Sequence, residues 1–168
     1  MKPTVFQATS PERLYNTRIN MNALFQLISD QEMETVLPLM REFYFEQRMQ
    51  FDEAAAAAAL KKLITNPAHG QMYLLFRGPD LAGYFALAFC FSLEFHGRFA
   101  LLDELYIREQ FRRQKLGRSV VEFAQRICRD LRIKALRLEV GTGNTAARSL
   151  YNAEGFRQEE RHLMTKWL

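Results

Sequence analysis

The sequence predicts a single α/β domain, a mixed sheet with helices on both of its faces. Three observations lead there. The 168 residues are 48% hydrophobic and 25% charged, the mix of one globular unit long enough to bury a sizeable core. Hydrophobic spacing passes from strand-like to helical and back along the chain. Two strand-to-helix junctions, one basic and one glycine-rich, stand at 108–118 and 139–145.

Residues 1–20 carry Pro3, Thr9, Ser10 and Pro11 without a clear period. They are expected to form an N-terminal extension of uncertain order ahead of a domain over 21–168. Asn22–Ser29 alternates Ala23, Phe25 and Leu27 with polar neighbours and predicts a first strand. Asp30 is expected to cap a helix running to about Gln47, because Met33, Val36, Leu37, Met40, Phe43 and Tyr44 fall at helical spacing. Asp52-Glu53 opens a second helix through the alanines at 54–59, and Asn66-Pro67 ends it.

Gln71–Phe76 and Leu81–Phe95 predict a hairpin across Arg77-Gly78-Pro79-Asp80, and Phe99–Ile107 a further strand. Lys115–Arg132 is an amphipathic helix, and Ala135–Val140 a strand. Asn144–Glu154 is a short helix, and Phe156–Leu168 is expected to close the sheet. The predicted order is therefore β α α β β β α β α β.

Composition removes several functions. No run reaches the roughly 18 apolar residues that span a bilayer, and the N-terminus lacks a signal-type apolar stretch, so a cytoplasmic location is expected. Cys90 and Cys128 sit in apolar patterns and are expected to be buried, reduced thiols. His69, His96 and His162 are scattered singly, so no metal is expected. The net charge of +4 suits an anionic partner without naming it.

The residues 108–118, Arg-Glu-Gln-Phe-Arg-Arg-Gln-Lys-Leu-Gly-Arg, place five cations in eleven positions where a strand turns into a helix. A helix N-terminus already carries about half a positive charge, so more cations there are misplaced unless an anion such as pyrophosphate binds. In the second junction Asn144 is a favoured N-cap, and Ala147 and Tyr151 follow it on one helical face. Gly155 then stops that helix.

The run from Asn144 through Ala147, Leu150-Tyr151 and Gly155-Phe156 resembles the Asn-x-x-Ala-x-x-Leu-Tyr-x-x-x-Gly-Phe motif of the GNAT superfamily, the acyl-CoA-dependent N-acyltransferases. The basic loop resembles that family's pyrophosphate loop, with Arg112 opening it and Gly117 closing it. Lys115 stands where the family has a middle glycine, and lysine tolerates positive φ less well. Leu101-Leu102-Asp103-Glu104-Leu105-Tyr106-Ile107 is similar to the family's central strand, which splays from its neighbour.

The resemblance implies a GNAT-like, mostly antiparallel mixed sheet with a splayed central strand pair. It also implies acetyl-CoA as cosubstrate, an amine acceptor, no nucleic acid or membrane partner, and leaves a homodimer open. Cofactor contacts are implied at Leu105, Tyr106, Ile107, Arg112, Arg113, Gln114, Lys115, Leu116, Gly117, Arg118, Asn144, Ala147 and Tyr151. Tyr151 matches the phenol that protonates the leaving thiolate; near pKa 10 it stays protonated at neutral pH.

A base is expected on the central strand. Asp103 and Glu104 point to opposite faces of a regular strand, so one of them should look into the cleft. In the family it resembles, a base on this strand tends to stand an even number of residues before the Ile107 equivalent, which favours Asp103, and a bulge would reverse that choice; Glu94 is a third candidate. The acceptor region, Leu37 to Leu63, offers Glu42, Phe43, Tyr44, Phe45, Glu46, Phe51, Asp52 and Glu53. A catalytically silent acyl-CoA-binding sensor on the same fold is the alternative.

Overall fold

The computed structural model describes residues 16–20 and 23–167, the first group as backbone only. Among the described residues six strands form one sheet in chain order: β1 (Asn16–Asn20), β2 (Ala23–Leu27), β3 (Gly70–Arg77), β4 (Asp80–Ser92), β5 (Gly97–Ile107) and β6 (Leu136–Leu138). Every neighbouring pair is antiparallel except β5–β6, which is parallel. Between β2 and β3 lie α1 (Met33–Glu46) and α2 (Glu53–Thr65). The helix α3 (Leu116–Asp130) connects β5 to β6, and α4 (Thr145–Ala153) follows β6.

Alternation along the strands gives the sheet two apolar faces. Tyr73, Leu75, Phe85 and Leu87 point toward α3 and pack with Phe25, Val120, Phe123 and Ile127. Phe25 stacks on Phe123 with centroids 4.5 Å apart, and Tyr73 stacks on Phe85 at 5.1 Å. On the other face Met72, Leu74, Tyr84 and Tyr106 pack with Val36, Leu39 and Met40 of α1 and Leu60 of α2. Burying each such side chain stabilises the fold by about 1.5–3 kcal/mol.

Several expectations change. The cap ahead of α1 is Ser29, whose hydroxyl accepts from the Gln31 N–H while Glu32 accepts from the Ser29 N–H at 2.7 Å. That reciprocal box opens a 3-10 turn at Asp30–Glu32, so α1 starts at Met33. A strand stands at Asn16–Asn20, where the sequence showed no period; residues 1–15 lie outside the described residues.

The closing strand expected over Phe156–Leu168 does not form within its described part, 156–167. β6 is only three residues long and offers little ladder to pair with. Leu163, Met164 and Trp167 stay exposed, and the segment is tied down instead by Arg137–Glu159 and Arg161–Glu94 ion pairs, both at 2.8 Å. Both cysteines are free, but only Cys128 is buried; Cys90 is half-buried.

The feature that builds the site is in β5. Ala86 pairs with Glu104, yet the next residue, Leu87, pairs with Leu102, so Asp103 is an extra residue: a β-bulge. A bulge bends its strand and increases local twist. The last β5–β6 pair is Leu102 with Leu138, immediately before the bulge, and β5 runs on alone to Ile107. The two strands therefore splay here. On the other edge Gly83 lets β4 follow β5 closely, since a Cβ there would lie 2.0 Å from the Tyr106 carbonyl oxygen.

Candidate active site

The bulge corrects the expectation that Asp103 and Glu104 face opposite ways. Leu102 and Leu105 pack toward the α3 core, whereas Tyr106 packs toward α1. With one residue inserted, Asp103 and Glu104 both fall on the α1 face, but Asp103 lines the cavity whereas Glu104 is held beneath it by Tyr44 and Tyr84, so the bulge does not exchange their roles. A regular alternation misses this because nothing in the run Leu-Leu-Asp-Glu-Leu marks an inserted residue.

The splay opens a cavity of about 140 Å³ lined by Leu102, Asp103 and Leu105 of β5, Phe43 and Gln47 of α1 and the turn after it, and Glu139, Val140 and Gly141 after β6. Asn144, Ala147 and Tyr151 complete it from α4. These three share one helical face, as their spacing predicts. The Asn144 carboxamide oxygen accepts from the Ala147 N–H at 3.1 Å, and Gly155, at φ 86°, follows the helix end. Tyr151 packs edge-on to Phe156, centroids 5.7 Å apart, and burial raises its hydroxyl pKa above the ordinary tyrosine value. It is thus held protonated at neutral pH.

Asp103 stands exposed on the cavity wall, and burial of its surroundings raises its carboxyl pKa. Glu104 is more enclosed. Tyr44 of α1 donates to one carboxylate oxygen at 3.0 Å and Tyr84 of β4 to the other at 2.8 Å. Desolvation raises the Glu104 pKa, the two tyrosine donors pull it down, and the Asp103 charge pushes it up. The phenols move in the same sense: burial, then the Glu104 charge, pushes Tyr44 up to about 12 and raises Tyr84 further. Glu94, in contrast, sits far along the β4–β5 hairpin in an ion pair with Arg161 and is not brought to the cavity.

A second polar layer ties α1 to the end of β5. Arg108 forks onto Glu42, with bonds of 2.9 and 2.8 Å, and the hydrogen bond from Arg108 holds the Glu42 carboxyl below the usual carboxylate range. The Tyr106 hydroxyl donates to Glu42 and Glu46, at 3.1 and 3.2 Å. Arg112 donates to the Ile107 carbonyl at 2.7 Å and pairs with Glu46. The guanidinium expected to open the phosphate loop is therefore engaged with strand and helix.

The loop itself has an unusual backbone. Arg113 and Lys115 adopt φ of 59° and 64°, left-handed conformations that cost non-glycine residues about 1–2 kcal/mol each. Lys115 is the N-cap of α3 and makes no side-chain cap bond, so the first-turn N–H groups point outward at the end of a 15-residue helix. Arg113 and Lys115 are exposed and enter no ion pair among the described residues. Arg118 is spent on Glu122 and Glu154, at 3.2 and 3.0 Å.

Gln114 donates to the Gln110 carbonyl at 2.8 Å, and Leu116 is core. A Cβ on Gly117 would lie 3.0 Å from Leu150 Cδ2, so this glycine is where α3 presses against α4, beside Tyr151. Leu105 and Ile107 turn backbone groups to the open edge, since the next residue, Arg108, gives its N–H to Ala82 on β4.

Sequence reasoning missed Tyr84, Gln47 and Glu139. Tyr84 lies within an apolar run that reads as buried strand, and only its register against Tyr106 brings it beside Glu104. Among the described residues no group of three or more His, Cys, Asp or Glu is placed to hold a metal ion. No helix of the described residues is long and apolar enough to cross a membrane.

The chain is similar to known proteins in sequence and in fold. The chain is 29% identical over 126 residues, 74% of its length and 77% of the relative's, to a thialysine N-epsilon-acetyltransferase of Caenorhabditis elegans. An integron cassette protein from the mobile metagenome of Cole Harbour Salt Marsh superposes with a TM-score of 0.77 at 27% identity, covering 86% of this chain and 90% of that one. A probable acetyltransferase of known structure has the same fold, with a TM-score of 0.74 at 19% identity over 86% and 96% of the two chains. The sequence profile of the Acetyltransferase (GNAT) family matches residues 32–156, from the turn before α1 to the Phe156 ring against Tyr151. The chain belongs to the GNAT acetyltransferase family.

Proposed function

We propose that the protein transfers an acetyl group from acetyl-CoA to a primary amine by direct attack on the thioester, in the cavity where β5 and β6 part. The observation that carries this is that Tyr151 and Asp103 line the same cavity from opposite sides of the splay. The amine nitrogen attacks the carbonyl carbon and its proton passes to Asp103. The carbon–sulfur bond breaks, and the departing thiolate takes the Tyr151 proton.

The chain's own groups suit the cosubstrate. The outward N–H groups at the start of α3, with Arg113 and Lys115 beside them, match a pyrophosphate. Backbone groups of Leu105 and Ile107 line the route of the pantetheine arm, with Asn144 and Ala147 opposite, whereas Tyr106 turns its carbonyl to Gly83 of β4. Arg112 acts by holding the Ile107 end of β5, and Leu116, Gly117 and Arg118 by seating α3 against α4. Gln114 ties the loop to Gln110.

The acceptor is a flexible primary amine carried on a side-chain-like arm. The relative named for acetylating the ε-nitrogen of thialysine supports that class, and two carboxylates on the α1 face suit an ammonium group before it gives up its proton. Two free thiols fit a reducing compartment such as the cytoplasm. The test is acetyl transfer with thiol release across a panel of lysine-like amines, amino acids and peptides. Release dependent on a lysine-like amine supports the proposal; saturating acetyl-CoA that neither binds nor reacts would end it.

A further inference from the structure

We infer that Tyr44 and Tyr84 are positioning residues which hold Glu104 ionised beside Asp103, so that the two carboxylates share the proton taken from the amine. This rests on the proposed acetyl transfer and deepens it. The geometry has three parts. The bulge puts adjacent acids on one face of β5. Two phenols from different elements, α1 and β4, each hold one oxygen of Glu104, which locks its carboxylate in place. Among the described residues neither Asp103 nor Glu104 forms an ion pair, because the nearby cations are taken, Arg108 by Glu42 and Arg112 by Glu46.

Among the described residues, the side-chain donors to Glu104 are therefore the two tyrosine hydroxyls. Tyr44 of α1 and Tyr84 of β4 face it directly and Asp103 adds its charge. The next groups are Glu42 and Glu46 of α1, bonded to Tyr106 and Arg108, and Glu139, which lines the cavity together with Asp103. The Asp103 charge raises the Glu104 carboxyl, and carboxylates coupled in this way take up their first proton as a pair rather than as two separate residues. Tyr44 also rests edge-on against Phe51, centroids 5.3 Å apart, so the loop between α1 and α2 sets the grip.

The test pairs two readouts on the full chain: carbon-detected NMR titration of the side-chain carboxyls, and the pH profile of kcat at saturating acetyl-CoA and amine. Removing one donor to a carboxylate should move the pair's first protonation up by about one pH unit. Tyr44→Phe and Tyr84→Phe should each shift both the NMR titration and the acid limb of kcat to higher pH, with the acetyl-CoA KM unchanged. In a Glu104→Gln background neither phenylalanine should shift the limb further. If Tyr84→Phe unfolds the buried strand, Tyr44→Phe, at the half-exposed end, carries the test alone.

An active enzyme whose acid limb ignores Tyr44→Phe overturns this inference and leaves acetyl transfer standing. A wild-type protein that transfers no acetyl group to any amine overturns both.

Discussion

Replacing Tyr151 with phenylalanine removes one oxygen from the cavity. No hydrogen bond within the described residues engages that hydroxyl, and the ring keeps its edge contact with Phe156. Folding stability should therefore change by no more than about 0.5 kcal/mol. The chemical step should suffer far more. Loss of a positioned acid typically costs about 10²- to 10⁴-fold in rate, or about 3–5 kcal/mol of barrier at 1.36 kcal/mol per decade.

The assay is thiol release at saturating acetyl-CoA and amine, with acetyl-CoA binding followed separately by thermal shift. kcat should fall by about a hundredfold or more while binding and melting hold. Because burial raises the Tyr151 pKa, any basic limb that it causes should lie above the ordinary tyrosine value near 10, and it should vanish in the variant. A phenylalanine variant with wild-type turnover would refute the reasoning and leave solvent as the proton donor.

Further outcomes follow from the same geometry. Gly117→Ala should press on Leu150 and displace the second half of α4 with Tyr151, lowering kcat more than it raises the acetyl-CoA KM; an unchanged kcat would show that Leu150 yields harmlessly. Lys115→Gly removes about 1–2 kcal/mol of left-handed strain against about 0.5–1 kcal/mol of glycine entropy, so the denaturant midpoint should rise while acetyl-CoA binds more weakly and with a shallower salt dependence. Asp103→Asn should depress kcat/KM most at low and neutral pH and recover partly at high pH, where more amine is already neutral. The same variant should be more stable than wild type at neutral pH. The folded Asp103 pKa is raised, so its ionised form costs stability above that value, and the gain should disappear as pH falls below the unfolded value near 4.

Much of the architecture could be read from local pattern. The α2 cap at Asp52, the β3–β4 hairpin around Gly78 and the Asn144–Tyr151 face rest on interactions between residues close in sequence, and they formed as expected. The pieces that escaped depend on partners far along the chain. The bulge at Asp103 exists only in register against Ala86 and Leu87, and Tyr84 reaches Glu104 from the neighbouring strand. Arg112 is drawn away from the loop by Glu46, 66 residues earlier. The segment after Phe156 has the apolar content of a strand, but its neighbour β6 is too short to recruit it. At Lys115 the sequence marks a conflict, a lysine where positive φ is wanted, and the backbone takes that conformation regardless.

The most direct test of direct transfer in the β5–β6 cavity is a single-turnover measurement with isotopically labelled acetyl-CoA, followed by intact-protein and small-molecule mass spectrometry. With a lysine-like amine present, one acetyl group should appear on the amine for each thiol released. Without the amine, the protein should remain unacetylated however long it is held with acetyl-CoA. Label on the protein before the amine is added, passed on when it arrives, would contradict direct attack and require a covalent intermediate that Tyr151 and Asp103 do not explain.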